Sequence, residues 1–201
     1  GSAKTDILNL LPGLGVQVID LEGIARHRGS LFGALGPQPS QKAFEGALAL
    51  ALAGLDPTRP VVIEAESSKV GNCRLPPGIW KAMVAAPRVA IAAPRAARAA
   101  YLGRAYADLC ADPARLAATI GLLQPAHPRD LIDSWQAMAA AGAFVALADS
   151  LMENHYDPRY GKHRARLPVP LIEVAAESLQ PDALPGIAAE VAKAVQRLAQ
   201  G

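Results

Sequence analysis

Val16-Gln-Val-Ile-Asp20-Leu-Glu-Gly-Ile-Ala-Arg-His-Arg-Gly-Ser30-Leu-Phe-Gly33 joins a short apolar run to a polar loop. The run at 16–21 is rich in β-branched residues, and similar runs occupy 61–65, 89–93 and 171–174. Short runs of this kind, largely continuous rather than alternating, are typical of strands in a parallel sheet covered on both faces. We therefore expect four buried strands.

Helical patterns separate these runs. After Pro39-Ser40, apolar residues recur at spacings of four and three and form one stripe, made of Phe44, Leu48, Leu52 and Leu55. Comparable stripes occupy 131–138, 144–151 and 187–198. Strands alternating with helices predict an α/β fold: a P-loop-like parallel sheet with helices on both faces. We assign 1–100 and 165–201 to this domain, and 101–164 to a helical insert with a basic loop.

Composition narrows the class of protein. Of 201 residues, 51% are apolar but only 4% aromatic, so Leu, Val, Ile and Ala must form a core, which argues against disorder. The net charge of +2 does not by itself indicate a nucleic-acid-binding protein. Two cysteines make neither a disulfide framework nor a metal quartet. No apolar run approaches the roughly 18–20 residues that span a bilayer. We expect a cytoplasmic protein with no membrane partner and no structural metal.

The first five residues, Gly1-Ser2-Ala3-Lys4-Thr5, read as the closing half of the P-loop motif G-x-x-x-x-G-K-[ST]. In such a loop, backbone N–H groups cradle phosphate oxygens, the lysine bridges them and the hydroxyl can hold Mg²⁺. Gly1, Ser2, Lys4 and Thr5 are therefore candidate phosphate-binding residues, although Ala3 replaces the usual glycine. The alternative is a helix start carrying a solvated lysine. The first strand is missing from this pattern, and we expect the natural protein to extend upstream of Gly1.

Two acidic pairs follow predicted strands. Asp20 and Glu22 follow the first run, and Glu64 and Glu66 follow the second. Open α/β sheets bind ligands at the carboxyl ends of their strands, and parallel strands deliver these ends to one edge. We therefore expect the four carboxylates to face one pocket.

A basic loop comes next in the chain. Arg26, His27, Arg28 and Ser30 surround a glycine and form a candidate anion-binding loop. A solvated loop is the alternative interpretation.

Five sequence blocks, in this order and spacing, resemble bacterial tRNA 2-selenouridine synthases. The blocks are Asp20-Leu-Glu-Gly23, His27-Arg-Gly-Ser-Leu-Phe-Gly33, Gln38-Pro-Ser-Gln41, Glu64-Ala-Glu-Ser-Ser-Lys-Val-Gly71 and His155-Tyr-Asp-Pro-Arg-Tyr160. The resemblance covers nearly everything from Gly1 to about residue 167 and is to the C-terminal P-loop domain of that family.

The resemblance implies an activity and partners. The family joins a rhodanese-like domain to the P-loop domain and replaces sulfur by selenium in the wobble 2-thiouridine of certain tRNAs. Selenophosphate is the selenium donor, and a thiouridine geranylated from geranyl diphosphate is the intermediate. The resemblance places the nucleophilic cysteine in the rhodanese domain, so no catalytic residue is assigned here. Cys110 is expected in the core, and Cys73 is not expected to be a nucleophile.

Cationic residues predict where RNA would bind. Arg159, Tyr160, Lys162, His163 and Arg164 form a cluster in which cations can meet phosphates and the tyrosine can stack on an unpaired anticodon base. The alternative is a solvated loop.

Three further arginines precede this cluster. Arg95, Arg98 and Arg104 are spaced to line a helix and to close over a phosphate, and ordinary surface arginines are the alternative.

Two other functions remain open from the residues alone. A small-molecule P-loop kinase would show the same alternation of strands and helices, with the helical insert as its lid. A non-catalytic tRNA-docking module would bind RNA and respond to no diphosphate.

Overall fold

The computed structural model describes residues 1–65, 67–159 and 169–200. These residues form mixed α/β structure with short parallel strand pairs, which confirms the predicted fold class at that level. In chain order, the elements are α1 (Lys4–Leu10), β1 (Gln17–Ile19), α2 (Leu21–Ala25), α3 (Gln41–Ala53), β2 (Val61–Ile63), β3 (Lys69–Val70), β4 (Cys73–Arg74), α4 (Pro77–Ala85), β5 (Arg88–Ala92), α5 (Arg95–Ala105), α6 (Ala107–Cys110), α7 (Pro113–Gly121), α8 (Arg129–Ala140), α9 (Phe144–Leu151), a π-helical turn (Met152–Tyr156), β6 (Leu171–Ala175) and α10 (Leu184–Ala199).

The chain divides into two compact units. The strand unit comprises Ala3–Ala92, Val169–Ala176 and Gln180–Gly201, as far as these residues are described. The helical unit comprises Gly1–Ser2, Ala93–Pro168 and Glu177–Leu179, with the same restriction. Residues 93–159 carry helices and turns and no strand.

Strand pairing is parallel where the sequence predicts it. β1 pairs with β2, with Ile19 opposite Ile63, and β5 pairs with β6, with Ile91 opposite Val174. Among the described residues these are separate two-stranded pairs, and Val61 and Leu171 are 37% and 48% exposed. The expectation of fully buried strands is therefore wrong, because a strand with one paired neighbour has few side chains to pack against.

The first strand is shorter than predicted because Asp20 ends it. Its Oδ1 accepts a hydrogen bond from the Gly23 amide at 2.7 Å and caps α2. A Cβ on Gly23 would meet Asp20 Oδ2, so a side chain there would have to displace the capping carboxylate from its present position. The polar residue that ends the strand therefore begins the helix and stays at the strand's carboxyl end.

The core of the strand unit forms around α3. Ser40 caps this helix, and the predicted stripe buries Phe44 and Leu48 fully against Ile19 and Leu21. Leu50 on the opposite face is 78% exposed. The helical periodicity of three and four therefore identified the correct buried face.

Trp135 anchors the helical unit. It is fully buried in α8, and its indole Nε1–H donates to Ser150 Oγ in α9 at 2.9 Å. Its neighbour Ile132 is buried as well.

None of the helices in the described ranges has the length and apolar character needed to cross a membrane.

Candidate functional site

The start of α1 is bound to a buried acid. Thr5 Oγ1 donates to Glu22 Oε2 at 2.6 Å, and Lys4 Nζ lies 3.7 Å from Glu22 Oε1. Glu22 is 5% exposed, whereas the Lys4 side chain is 41% exposed. Two residues of the predicted phosphate loop therefore converge on one carboxylate, and the ammonium group of Lys4 still reaches solvent.

The backbone before α1 is unusual. Ala3, where the P-loop motif has glycine, is 1% exposed and adopts a left-handed conformation with φ of 54°. This conformation favours glycine, so the alanine strains the backbone directly before Lys4. Gly1 and Ser2 belong to the helical unit, where a Cβ on Gly1 would lie 2.8 Å from Leu102 Cδ1.

The carboxyl ends of β1 and β2 bring two further acids together. Because Ile19 lies opposite Ile63, Asp20 and Glu64 both follow directly at the same edge. Glu64 is 4% exposed, and its Oε2 accepts a hydrogen bond from the Leu21 amide at 2.8 Å. The structure therefore places Asp20 and Glu64 at one strand edge, with Glu22 two residues further on in α2, and Glu66 lies outside the described residues.

Glu64 is held in its neutral form. Burial, together with a hydrogen bond to the Asp20 carboxylate, raises the pKa of Glu64 to about 8. A protonated Glu64 donates to Asp20, so one proton serves the two carboxyl groups. Glu22, by contrast, lies beside the Lys4 ammonium. Neighbouring acids at this edge therefore differ in their surroundings: one carboxyl carries a proton and the other faces a cation.

The basic loop after α2 is closed by its own backbone. The Arg28 amide donates to Gly33 O at 2.8 Å, and the Ser30 amide donates to Arg28 O at 2.9 Å. The Gly29 amide donates to His27 Nδ1 at 3.1 Å. These three amides bond inside the loop, and the Arg26 side chain is exposed.

The Gln-Pro-Ser-Gln block holds the β3–β4 hairpin. Gln38 Nε2 donates to Ala25 O at 2.9 Å and to Val70 O at 3.2 Å, and its Oε1 accepts from the Asn72 amide at 2.7 Å. Gln41 bonds both backbone groups of Arg74, at 2.8 and 2.9 Å. The block stands out in the sequence as a motif, but no sequence pattern indicates that its glutamines hydrogen-bond the backbone of a hairpin. They tie the end of α2 to the segment that follows Glu64.

The cysteines do not have the setting of nucleophiles. Cys73 is 1% exposed, and burial raises the pKa of its thiol. Burial and the nearby Asp108 carboxylate raise the pKa of Cys110. Both shifts favour the unreactive thiol.

The arginines of α5 are bound within the helical unit. Arg95 pairs with Asp149 and Glu153 at 2.9 and 2.7 Å. Arg98 binds Asp157 through two nitrogens, at 2.9 and 2.7 Å, and lowers the pKa of that carboxyl. In the structure these arginines bind acids distant in sequence, and their closure over a phosphate stays a prediction.

Arg104 is also bound internally. Its Nη2 donates to Leu179 O at 2.8 Å.

Only part of the predicted RNA-binding cluster is described. Arg159 is exposed, and its Nη1 lies 2.6 Å from Nε2 of the buried His155. Tyr160, Lys162, His163 and Arg164 lie outside the described residues. The described ranges contain no group of three or more His, Cys, Asp or Glu side chains arranged to hold a metal ion.

Comparisons with known proteins agree on one family. The family model described as tRNA 2-selenouridine synthase AAA domain matches residues 1–125. A tRNA 2-selenouridine synthase of Hahella chejuensis is 43% identical over 95 residues, which are 45% of this chain and 24% of that protein. That of Aeromonas salmonicida is 40% identical over 109 residues, covering 53% and 28%. The chain thus spans about a quarter of the length of these relatives. No solved structure matches significantly.

Proposed function

The chain belongs to the tRNA 2-selenouridine synthase AAA domain family, and we propose that it binds a diphosphate and a tRNA as the P-loop part of such an enzyme. The diphosphate is geranyl diphosphate, and the tRNA carries a wobble 2-thiouridine that becomes 2-selenouridine through a geranylated intermediate. Selenophosphate supplies the selenium. Sulfur–selenium exchange belongs to a rhodanese-like partner domain, since the described cysteines have raised pKa values.

The convergence of Lys4 and Thr5 on Glu22 supports this proposal most directly. An AAA domain implies a P-loop fold, in which this lysine and hydroxyl meet phosphate oxygens and, where present, Mg²⁺. Lys4 Nζ is 3.7 Å from Glu22 Oε1, and the Lys4 side chain is partly exposed. Its ammonium group can therefore bind a diphosphate while α1 stays folded. The finer fold, a sheet with helices on both faces and a helical insert, is part of the proposal.

Lys4 also suits the chemistry of geranyl transfer. In that step the thiouridine sulfur forms a bond to geranyl C1, the C1–O bond breaks and its electron pair leaves with the diphosphate, and the N3 proton of the thiouridine passes to water. A cation near the leaving oxygens stabilises the charge that develops there. Lys4 is proposed to supply it.

Calorimetry with geranyl diphosphate tests the phosphate site. Lys4→Ala should weaken binding at least about tenfold, which corresponds to about 1.4 kcal/mol. Lys42→Ala is the matched control, since it removes an equal charge from an exposed helix position. Equal affinities for wild type and Lys4→Ala would remove the P-loop assignment.

The same proteins separate the two other functions. Phosphoryl transfer from ATP to a metabolite would identify a kinase. Binding of tRNA with no response to any diphosphate would identify a docking module.

We also expect that this chain alone makes no 2-selenouridine from thiouridine tRNA, geranyl diphosphate and selenophosphate, as judged by mass spectrometry of nucleosides. Selenouridine made by this chain and lost in Cys73→Ser would place the nucleophile in this domain instead.

A further inference from the structure

Three side chains of the helical unit form a continuous hydrogen-bonded chain. Arg159 Nη1 lies 2.6 Å from His155 Nε2, and His155 Nδ1 lies 2.8 Å from His127 Nε2. His155 is 5% exposed and lies in the π-helical turn, and His127 precedes Pro128, the N-cap residue of α8. α8 has no side-chain cap, and the His127 imidazole binds His155.

The shorter contacts assign the protons in this hydrogen-bonded chain. A guanidinium can only donate, and Arg159 Nη1 lies 2.6 Å from His155 Nε2 and 3.2 Å from His155 Nδ1. We therefore take the nearer Nε2 as the acceptor and place the His155 proton on Nδ1. That proton is donated to His127 Nε2, which places the proton of a neutral His127 on Nδ1. The arrangement requires a neutral His155, and burial together with Arg159 and His127 lowers the pKa of His155 to about 4.

His127, at the outer end of this hydrogen-bonded series, lines a cavity. The cavity has a volume of about 400 Å³ and is lined by Gln124, His127, Arg129, Ile132 and Asp133. Among the described residues no side chain or carbonyl accepts from His127 Nδ1, so this N–H is available to a ligand. Asp133, whose side chain is 67% exposed, has its Oδ2 3.8 Å from Arg129 Nε and offers its other carboxylate oxygen as an acceptor. Ile132 adds apolar surface, and the Arg129 side chain is 94% exposed.

This set of groups selects the class of ligand. Because Arg129 and Asp133 pair with each other, their charges offset, and the cavity favours neither a simple anion nor a metal cation. A nucleobase suits all of them, because its edge carries donors and acceptors side by side and its face stacks on guanidinium or apolar groups. A volume of about 400 Å³ lies within the range of small-ligand sites, roughly 300–1,000 Å³.

We propose that this cavity receives an unpaired RNA base, and that the exposed Arg159 contacts a neighbouring phosphate of the same strand. The inference rests on the proposed function, since it takes tRNA as the partner. The two histidine rings, with centroids 5.0 Å apart, separate the phosphate contact from the cavity. Single-stranded RNA is commonly bound in this way, by cations along the backbone and a separate contact to each base.

Aromatic rings pack against both histidines of this hydrogen-bonded series. His127 packs edge-on against Trp135, and His155 packs edge-on against Tyr156, with centroids 5.0 and 4.7 Å apart. A purely structural role would therefore also explain the histidines. A measurement that depends on the presence of a base separates the two roles.

The test compares two fluorescently labelled probes, an oligouridine and an abasic strand of equal length, by anisotropy. Asp133→Asn and His127→Phe should lower affinity for the oligouridine several-fold and leave affinity for the abasic strand unchanged or, for Asp133→Asn, slightly higher. The phenyl ring keeps the packing against Trp135, and thermal unfolding verifies the fold. Asp130→Asn, an exposed neighbour on α8 that does not line the cavity, is the matched control for charge.

The outcomes distinguish this inference from the proposed function. If the wild-type chain binds both strands equally, or if the variants lose affinity for both alike, the base-binding cavity is wrong while RNA binding stands. If the wild-type chain binds neither strand nor tRNA, the proposed RNA partner is itself wrong.

Discussion

Each unit of the molecule has a buried titratable group that is kept neutral, and the pKa shifts of these two groups run in opposite directions. Glu64 in the strand unit is 4% exposed and has its pKa raised to about 8, whereas His155 in the helical unit is 5% exposed and has its pKa lowered to about 4. Burial penalises the charged form in both cases. Each nearby charge adds to the shift, because Asp20 is an acid beside an acid and Arg159 a cation beside a base.

The two units should therefore respond to pH in opposite directions. The folded pKa of Glu64 lies above its ordinary value of 4.5, so its contribution to stability is fully present below about 4.5 and is lost as pH rises through 8. The folded pKa of His155 lies below its ordinary value of 6.5. Its contribution is present above that value and is lost as pH falls through 4.

The largest effect should come from removing the anchor of the helical unit. Trp135→Ala should lower the free energy of unfolding by about 3–5 kcal/mol, because it empties a fully buried site and removes the bond to Ser150. It should also reduce the loss of stability between about pH 6.5 and 4, which we call the acidic limb of the stability profile, since the indole packs against His127. Urea titrations at several pH values measure both.

Phe44→Ala provides the matched large cavity in the strand unit. This variant should lose comparable stability and keep the acidic limb. An equal change of that limb in both variants would contradict the separation of the two responses.

Glu64→Gln should remove the loss of stability between about pH 5 and 8, which we call the alkaline limb of the stability profile. In the wild type, stability should fall between about pH 5 and 8 by on the order of a few kcal/mol, as Glu64 loses the proton it shares with Asp20. The amide can still accept from the Leu21 amide and donate to Asp20, but it does not titrate. Thermal unfolding across this range measures the difference, with exposed Glu177→Gln as control. A wild-type slope in Glu64→Gln would show that another group causes it.

His155→Gln should flatten the acidic limb between about pH 6.5 and 4, and by less. The effect is smaller because Arg159 is exposed and can turn towards solvent when His155 becomes charged. Circular dichroism during heating gives the profile. The alkaline limb should stay as in the wild type, and its loss would indicate that the two groups titrate together.

The smallest effect should come from the surface ion pairs. Arg95→Ala removes two exposed pairs and should cost less than about 1 kcal/mol, with neither pH limb changed. Arg98→Ala removes a two-nitrogen contact from a less exposed position and should cost more. Chemical denaturation of the two variants compares them. A larger cost for Arg95 would mean that the pairs of α5 act as a network.

The sequence predicted features that depend on near neighbours. The stripe through Phe44 and Leu48 identifies the buried face of α3, and apolar runs identify parallel strands whose carboxyl ends carry Asp20 and Glu64. These features repeat within a few residues, or follow from the rule that parallel strands end at one edge.

Features that depend on distant partners were not predictable. His127 and His155 are 28 positions apart, and Arg98 and Asp157 are 59 apart. No periodicity connects such pairs, and either histidine alone is compatible with a helix cap or a surface site. The β3–β4 hairpin was missed because its strands have two residues each, too few to show an alternating pattern.

The clamp on this hairpin constrains the order in which two positions can change during evolution. A side chain arriving at Gly71 would place its Cβ 2.3 Å from Gln38 Oε1, on a backbone whose φ of 59° already disfavours it. Losing Gln38 first opens that space but leaves Val70 O and the Asn72 amide without their partner. A change at either position alone should therefore lower stability, and a change at Gln38 is the easier one to make first. We expect substitutions at the two positions to be non-additive in their effect on the free energy of unfolding.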